Sequence, residues 1–134
     1  MPGCLVTMIP FLSSRAHSFR YAFSGWWYVI RTQRNAWIHI VISLAVIVIS
    51  FWVKLPPRDW AVIILAMAMV WTAEFLNTAL EAVVDLATEH KQHELARVGK
   101  DVGAAAVLIV ALSAVLIGLL ILGPPLYRLL FGDF

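Results

Sequence analysis

Four polar residues recur at helical spacing inside an otherwise apolar stretch of the chain: Glu74, Asn77, Glu81 and Asp85. At 100° per residue they lie within about 80° of one another on a helical wheel, so they share one face. In the interior of a bilayer each charged group costs about 2.5–3.5 kcal/mol. Three carboxylates on one stripe also repel one another unless a cation lies among them. The stripe therefore indicates a function, in preference to the alternative of a polar network that only fixes helix packing.

Charges that could neutralise this stripe lie close by in the sequence. Lys100 and Asp101 open the next apolar stretch, and Arg20, Arg31 and Arg34 precede the first one. Acidic groups, a lysine and an aqueous entrance suit Mg²⁺ and nucleotide phosphates, because Mg²⁺ is often held by one or two carboxylates with phosphates and waters. A deeper carboxylate could then accept a proton from a lipid hydroxyl. The GxxxxGK[ST], GxGxxG, HRD and DFG motifs are absent, so a nucleotide site would be of another kind.

Membrane helices are the elements that must position these residues. Of the 134 residues, 62% are hydrophobic and only 13% are charged, and the mean hydropathy is +0.87. This composition excludes an ordinary soluble domain. Three stretches are long and apolar enough to cross a bilayer, namely residues 36–53, 60–87 and 101–122. We expect Pro56 and Pro57 to separate the first two, and Gly123, Pro124 and Pro125 to end the third. The whole chain, residues 1–134, is predicted to be one all-α integral membrane domain.

An amphipathic segment at residues 14–35 precedes the first span. Phe19, Phe23 and Trp26 fall on one helical face, and Arg20 and Arg31 fall on the other. The pattern is typical of a helix lying in the membrane interface, with aromatic side chains inward and arginines toward phosphates. The alternative is a helix packed on a partner protein.

The distribution of basic residues predicts the orientation of the chain. Basic side chains are more numerous in the N-terminal lead and in residues 88–100 than on the opposite side. The N-terminus is therefore expected in the cytoplasm. The net charge is only +2 and there is no basic patch with interleaved aromatics, so nucleic acid is not expected as a partner.

Two further patterns concern packing and histidines. Gly99 and Gly103 form a small-xxx-small step, which predicts close approach of helix backbones in lipid. His90 and His93 could form a weak transition-metal site, but a solvated surface loop is the favoured interpretation because no further ligands are evident. His17 and His39 are interpreted in the same way.

The stretch from Glu74 to Asp85, EFLNTALEAVVD, resembles the signature of the prokaryotic diacylglycerol kinase family, which also contains undecaprenol kinases. HEL at 93–95, GKDV at 99–102 and AAAVL at 104–108 are similar to that family too. The resemblance covers nearly the whole chain beyond the first dozen residues. It implies a homotrimer of three-span protomers in the bacterial inner membrane, which uses ATP and Mg²⁺ to phosphorylate the hydroxyl of a membrane lipid.

The resemblance also implies roles for single residues. Glu74 would be the general base, Asn77 would help to position the reacting groups, and Glu81 would hold Mg²⁺. The nucleotide would be contacted by Tyr21, Asp85, His93, Lys100 and Asp101.

One departure from the family pattern concerns the metal. The family usually has an acidic second ligand in a TERN-like sequence, whereas this chain reads Thr32-Gln33-Arg34-Asn35. Gln33 can supply a carbonyl oxygen to the metal but no charge. We therefore expect a weaker hold on Mg²⁺.

The acceptor lipid and the class of function each leave an alternative open. Arg34-Asn35 with Ile38-His39 resembles the RNxxIH of the undecaprenol kinase branch, yet diacylglycerol is nearly as well supported. From another class, a small proton- or cation-coupled transporter or channel subunit could use Glu74 and Glu81, but it would leave Lys100 and Asp101 without a role. A non-catalytic scaffold would tolerate Glu74→Gln.

Overall fold

Every regular element in the described part of the chain is an α-helix, as the sequence predicts. The structure is a computed structural model that describes residues 8–89 and 91–132, with side chains from residue 17 onward. In these ranges the helices are α1 (Met8–Thr32), α2 (Arg34–Trp52), α3 (Pro57–Ala87) and α4 (Glu94–Phe131). The chain divides into two compact units, one ending at Arg34 and the other comprising Asn35–Phe134. The first unit contains α1 and is described here by itself.

Three of the four helices are long and apolar enough to cross a bilayer. They are α2, α3 and α4, with mean hydropathies of 2.0, 1.6 and 3.0 over their most apolar windows. The prediction of three membrane-spanning helices in an all-α multi-pass protein is therefore confirmed. The placement of α1 in the membrane interface remains a prediction.

Helices α3 and α4 form the closely packed pair of the second unit. Gly103 of α4 is buried, and a Cβ atom at this position would lie 3.1 Å from the Leu80 side chain of α3. One turn earlier, a Cβ atom at Gly99 would lie 3.8 Å from the Val84 side chain. The close approach predicted from the Gly99–Gly103 step is therefore confirmed.

The two proline motifs differ in their effect on the helices. Pro57 is the first residue of α3 and Pro56 caps it, so this pair separates α2 from α3 as predicted. Proline suits the first helical turn because its missing N–H has no partner there. The expectation that Gly123-Pro124-Pro125 ends the third membrane helix is wrong, because α4 continues through both prolines to Phe131. Two prolines remove only two backbone donors from a 38-residue helix, and membrane helices tolerate such losses.

The other predicted boundaries shift by a few residues. α4 begins at Glu94, seven residues before the predicted 101, and α2 begins at Arg34 instead of 36. The predicted interfacial helix over 14–35 starts earlier, at Met8, and ends at Thr32. The Thr32 hydroxyl donates to the carbonyl of Tyr28 at 2.8 Å, and only Gln33 separates α1 from α2.

Candidate active site

The polar stripe of α3 runs from a buried end to an open one. Glu74 is 1% exposed and Asn77 is 9% exposed, whereas Glu81 and Asp85 are only partly buried. All four lie on one continuous helix, so the predicted helical spacing is confirmed. The deepest carboxylate is therefore shielded from water, and the outermost one reaches the end of the helix hairpin.

Asn77 and Glu81 form a hydrogen-bonded pair one helical turn apart. The Asn77 Nδ2 donates to Glu81 Oε1 at 2.9 Å. Gly103 of α4 packs directly on Asn77, and a Cβ atom at 103 would collide with the Asn77 Oδ1. The Asn77 amide therefore fits against α4 because residue 103 has no side chain.

Glu74 faces a histidine of α2. His39 Nε2 lies 3.7 Å from Glu74 Oε2, and the His39 side chain is only 13% exposed. Neither atom has a hydrogen-bond partner within the described part of the chain. The interpretation of His39 as a solvated surface residue is therefore wrong. Its position inside an apolar span was the available signal, because ionisable groups within a membrane are functional candidates by default.

At the open end of the stripe, α3 is joined to α4 by an ion pair. Lys100 Nζ donates to Asp85 Oδ1 at 2.5 Å, and each side chain is about one third exposed, 38% and 34%. Asp101 pairs with Arg97 at 3.7 Å on the exposed face of α4. The structure thus brings Lys100 to the stripe, while Asp101 belongs to its outer edge.

A polar cavity of about 650 Å³ surrounds this end of the hairpin. Three basic side chains, Lys91, Arg97 and Lys100, contribute to its wall. Its other lining residues are Asp85, Thr88, Gln92, His93, Glu94, Ala96 and Asp101. Three acidic side chains, Asp85, Glu94 and Asp101, lie in the same wall, so the cavity carries charges of both signs. Its basic groups can offer charge-assisted hydrogen bonds to a polyphosphate.

His93 has a structural role that the sequence analysis missed. It is the N-cap of α4, and its Nδ1 accepts a hydrogen bond from the Leu95 N–H at 3.2 Å. His90, its partner in the weak transition-metal hypothesis, lies outside the described residues. Across residues 17–89 and 91–132, no group of three His, Cys, Asp or Glu side chains converges to hold a metal ion.

Two candidate residues belong to the first unit. Tyr21 of α1 is 71% exposed, and Gln33 occupies the interruption between α1 and α2, where its N–H donates to the Val29 carbonyl at 2.9 Å. Their roles toward nucleotide and metal remain predictions.

A second, apolar cavity of about 470 Å³ lies among α2, α3 and α4. Its lining includes His39 and Ser43 of α2, Val70 of α3 and Gly118 of α4, and aliphatic side chains supply most of the remainder. His39 thus contacts Glu74 and also forms part of the cavity wall.

Together these features suit three chemical roles. A buried carboxylate whose Oε2 has no hydrogen-bond partner in the described residues suits a general base, the Glu81 carboxylate suits a hard cation, and basic side chains in a polar cavity suit phosphates.

Known proteins resemble this chain over most of its length. A family model described as Prokaryotic diacylglycerol kinase matches residues 20–122. The chain is 45% identical over 113 residues to a diacylglycerol kinase of Synechocystis sp., covering 84% of this chain and 65% of that protein. It is 41% identical over 109 residues to an undecaprenol kinase of Bacillus subtilis, covering 81% and 88%. A diacylglycerol kinase of Escherichia coli is 38% identical over 92 residues, covering 62% and 73%. The chain thus spans slightly less than two thirds of the length of the Synechocystis protein.

Proposed function

We infer that this chain, which belongs to the prokaryotic diacylglycerol kinase family, transfers the γ-phosphoryl group of ATP to the hydroxyl of a membrane lipid. The observation that carries this proposal is the change in solvent exposure of the polar groups along α3 and α4. A carboxylate that is 1% exposed lies at one end, and a polar cavity of about 650 Å³ with three basic side chains in its wall lies at the other. A lipid acceptor and a water-soluble donor can meet only at such a boundary.

Glu74 serves as the general base in this proposal. Its Oε2 has no hydrogen-bond donor within the described residues, so it is available to a hydroxyl proton. As that proton passes to Glu74, the lipid oxygen forms a bond to the γ-phosphorus. The bond from the γ-phosphorus to the bridging oxygen breaks, and ADP leaves with the electron pair. The reaction depends mainly on positioning and charge neutralisation, which a few well-placed side chains can provide.

Lys100 is the main phosphate ligand of the proposed nucleotide site. A lysine ammonium has three N–H donors, so the hydrogen bond to Asp85 leaves two for phosphate oxygens. Asp85 in turn fixes the position of the Lys100 ammonium. His93 uses Nδ1 as a helix cap and keeps Nε2 for the nucleotide. Asp101 and Tyr21 complete the proposed set.

Mg²⁺ would be held by Glu81 together with phosphate oxygens. Glu81 accepts a hydrogen bond from Asn77 Nδ2 at 2.9 Å, so Asn77 positions this carboxylate. Hard oxygen donors of this kind fit Mg²⁺, which in phosphate sites needs only one or two protein ligands. When bound, the ion neutralises charge on the β- and γ-phosphates. Gln33 is proposed as a further, uncharged ligand.

The assembly and location follow from the same family membership. We propose a homotrimer in the bacterial inner membrane, with α1 in the interface and the N-terminus in the cytoplasm. The acceptor is a lipid alcohol, and the relatives' names supply two acceptors to test, diacylglycerol and undecaprenol. Those names lend no support to the transporter or channel hypothesis.

The first test compares transfer of labelled γ-phosphate to diacylglycerol and to undecaprenol by the protein in nanodiscs. Glu74→Gln keeps the shape of the side chain but removes the base, so transfer should fall by about 10²-fold or more. Asp59→Asn is the matched control, since Asp59 lies in the first turn of α3, at the end of this helix away from the proposed site, and is expected to tolerate the change. Both variants should keep the wild-type melting temperature within a few degrees.

Absence of transfer to either lipid by the wild-type protein, with ATP and Mg²⁺ in excess, would contradict the proposal. Ion conductance in liposomes without ATP would then favour the transporter hypothesis. Equal transfer by wild type and Glu74→Gln would remove Glu74 from the mechanism.

A further inference from the structure

We propose that His39 binds the hydroxyl oxygen of the acceptor lipid and holds it against Glu74. The inference rests on the proposed kinase function and adds a residue of α2 to the proposed site. His39 would act as an acceptor-binding residue, with no contact to the nucleotide.

The geometry between the two side chains carries the inference. His39 Nε2 and Glu74 Oε2 are 3.7 Å apart, which is too far for a direct hydrogen bond. One oxygen atom can nevertheless lie about 2.8 Å from both, in a bent arrangement. Both atoms are buried and lack a partner in the described residues. Because buried polar atoms are nearly always hydrogen-bonded, two adjacent unsatisfied ones indicate a missing third group.

The surroundings of His39 identify that group as part of a lipid. The same imidazole lines the apolar cavity of about 470 Å³ among α2, α3 and α4. Val70, one turn before Glu74 on α3, lines it as well. A hydrocarbon chain in this cavity would bring a terminal hydroxyl to the polar wall formed by His39. Free water would satisfy the two polar atoms but would leave the apolar cavity without an occupant.

Neighbouring aromatic groups hold the imidazole in place. The Trp71 ring lies edge-on to His39 with 6.0 Å between ring centroids. The Trp71 Nε1 also donates to the Ser43 hydroxyl at 3.4 Å, which ties α3 to α2 beside the cavity. His39 is therefore held by a contact that does not involve Glu74.

The proposed hydrogen bonds assign a direction to each proton. A neutral imidazole with its proton on Nε2 donates to the acceptor oxygen, and the acceptor O–H donates to Glu74 Oε2. When the proton moves to Glu74, the oxygen gains negative charge and the His39 N–H stabilises it. Only a group that both donates and accepts satisfies this pair, so the site selects an alcohol over an ester or ether oxygen.

The test measures kcat and KM for the lipid and for ATP in His39→Leu and His39→Gln. Leucine removes the donor, so kcat/KM for the lipid should fall about 10- to 100-fold while KM for ATP stays constant. Glutamine keeps an N–H in nearly the same place and should recover most of the loss. Val41→Ala is the control, because Val41 lies on the same helix, is 64% exposed and does not line the cavity, so kcat/KM should stay within about twofold.

The outcomes separate this inference from the kinase proposal. A wild-type protein that phosphorylates neither lipid would overturn both. An active wild type with unchanged kcat/KM in His39→Leu would overturn only the role of His39. Equal losses in the leucine and glutamine variants, accompanied by a lower melting temperature, would assign His39 to packing and overturn the inference as well.

Discussion

At the scale of single residues, three carboxylates of one helical stripe are given different surroundings by the helices beside them. Glu74 faces an imidazole across a 3.7 Å gap, Glu81 accepts from an amide, and Asp85 is paired with an ammonium. Their chemistry should therefore differ although their sequence context is similar. A buried carboxylate oxygen without a donor is open to a substrate hydroxyl, whereas the Asp85 carboxylate already accepts a hydrogen bond from Lys100.

Replacing Lys100 tests the phosphate-binding role of this ammonium. Lys100→Met keeps the length of the chain but removes the charge, so KM for ATP should rise about 10- to 100-fold because charge-assisted hydrogen bonds are lost. KM for the lipid should change little. Lys54→Met is the control, since Lys54 lies in the turn between α2 and α3 at the opposite end of the hairpin. A normal KM for ATP in Lys100→Met would contradict the proposed nucleotide site.

Replacing Gln33 tests the proposed metal role. Gln33→Glu restores the charge that the family pattern usually has at this position, so half-maximal activity should require about tenfold less Mg²⁺, because a carboxylate binds Mg²⁺ more tightly than an amide. Gln33→Leu removes the oxygen and should require more Mg²⁺ than the wild type. Identical Mg²⁺ titrations for all three proteins would show that residue 33 does not contact the metal.

Sequence patterns predict some residue contacts and miss others for a physical reason. The α3 stripe follows from the 3.6-residue period alone, and the structure keeps it on one helix. The contact between His39 and Glu74 depends on the relative rotation of two helices, which no local period determines. The capping role of His93 depends on where α4 begins, and helix ends are weakly encoded in apolar sequence.

At the scale of the elements, the packing of α4 on α3 determines how open the site is. The contact is built around a glycine because any side chain at 103 would meet the Asn77 amide. Loss of this close approach would move Lys100 away from Asp85, since both contacts lie on the same pair of helices.

A pair of glycine substitutions tests this packing. Gly103→Ala should destabilise the protein by about 1–3 kcal/mol through overpacking and should lower activity by displacing Asn77. Gly118→Ala is the matched control, because a Cβ atom there has no neighbour within 4 Å in the described structure. Alanine also favours helix over glycine, so the control should be neutral or slightly stabilised. Thermal unfolding in detergent measures both. Equal melting temperatures would contradict the close contact at 103.

Element boundaries were the least predictable part of the fold. The proline pair before α3 separates two helices, whereas the pair at 124–125 lies inside one. The difference lies in the neighbouring conformation. Lys54 adopts a positive φ of 53° before Pro56, which turns the chain, while the residues around Pro124 keep helical geometry. Proline composition alone cannot distinguish these two cases.

At the scale of the whole molecule, the proposed homotrimer is open to direct measurement. Native mass spectrometry from mild detergent should give a complex of three 15.0 kDa chains. We expect association because α2 and α4 are mostly exposed in a single chain, with only 11% of their most apolar windows buried. A denaturing detergent should release single chains as the control. A purified single chain with full activity would contradict the trimer.

The apolar part of α4, residues 102–122, has a mechanical consequence. Its length of about 32 Å is close to the roughly 30 Å of bilayer hydrocarbon. A helix of this length responds to a thinner bilayer by tilting. Lys100 lies near the start of α4, and Asp85 lies on α3. A change in the tilt of α4 relative to α3 would therefore move the Lys100 ammonium relative to Asp85. Under the proposed function, the composition of the membrane would influence the activity that changes this composition.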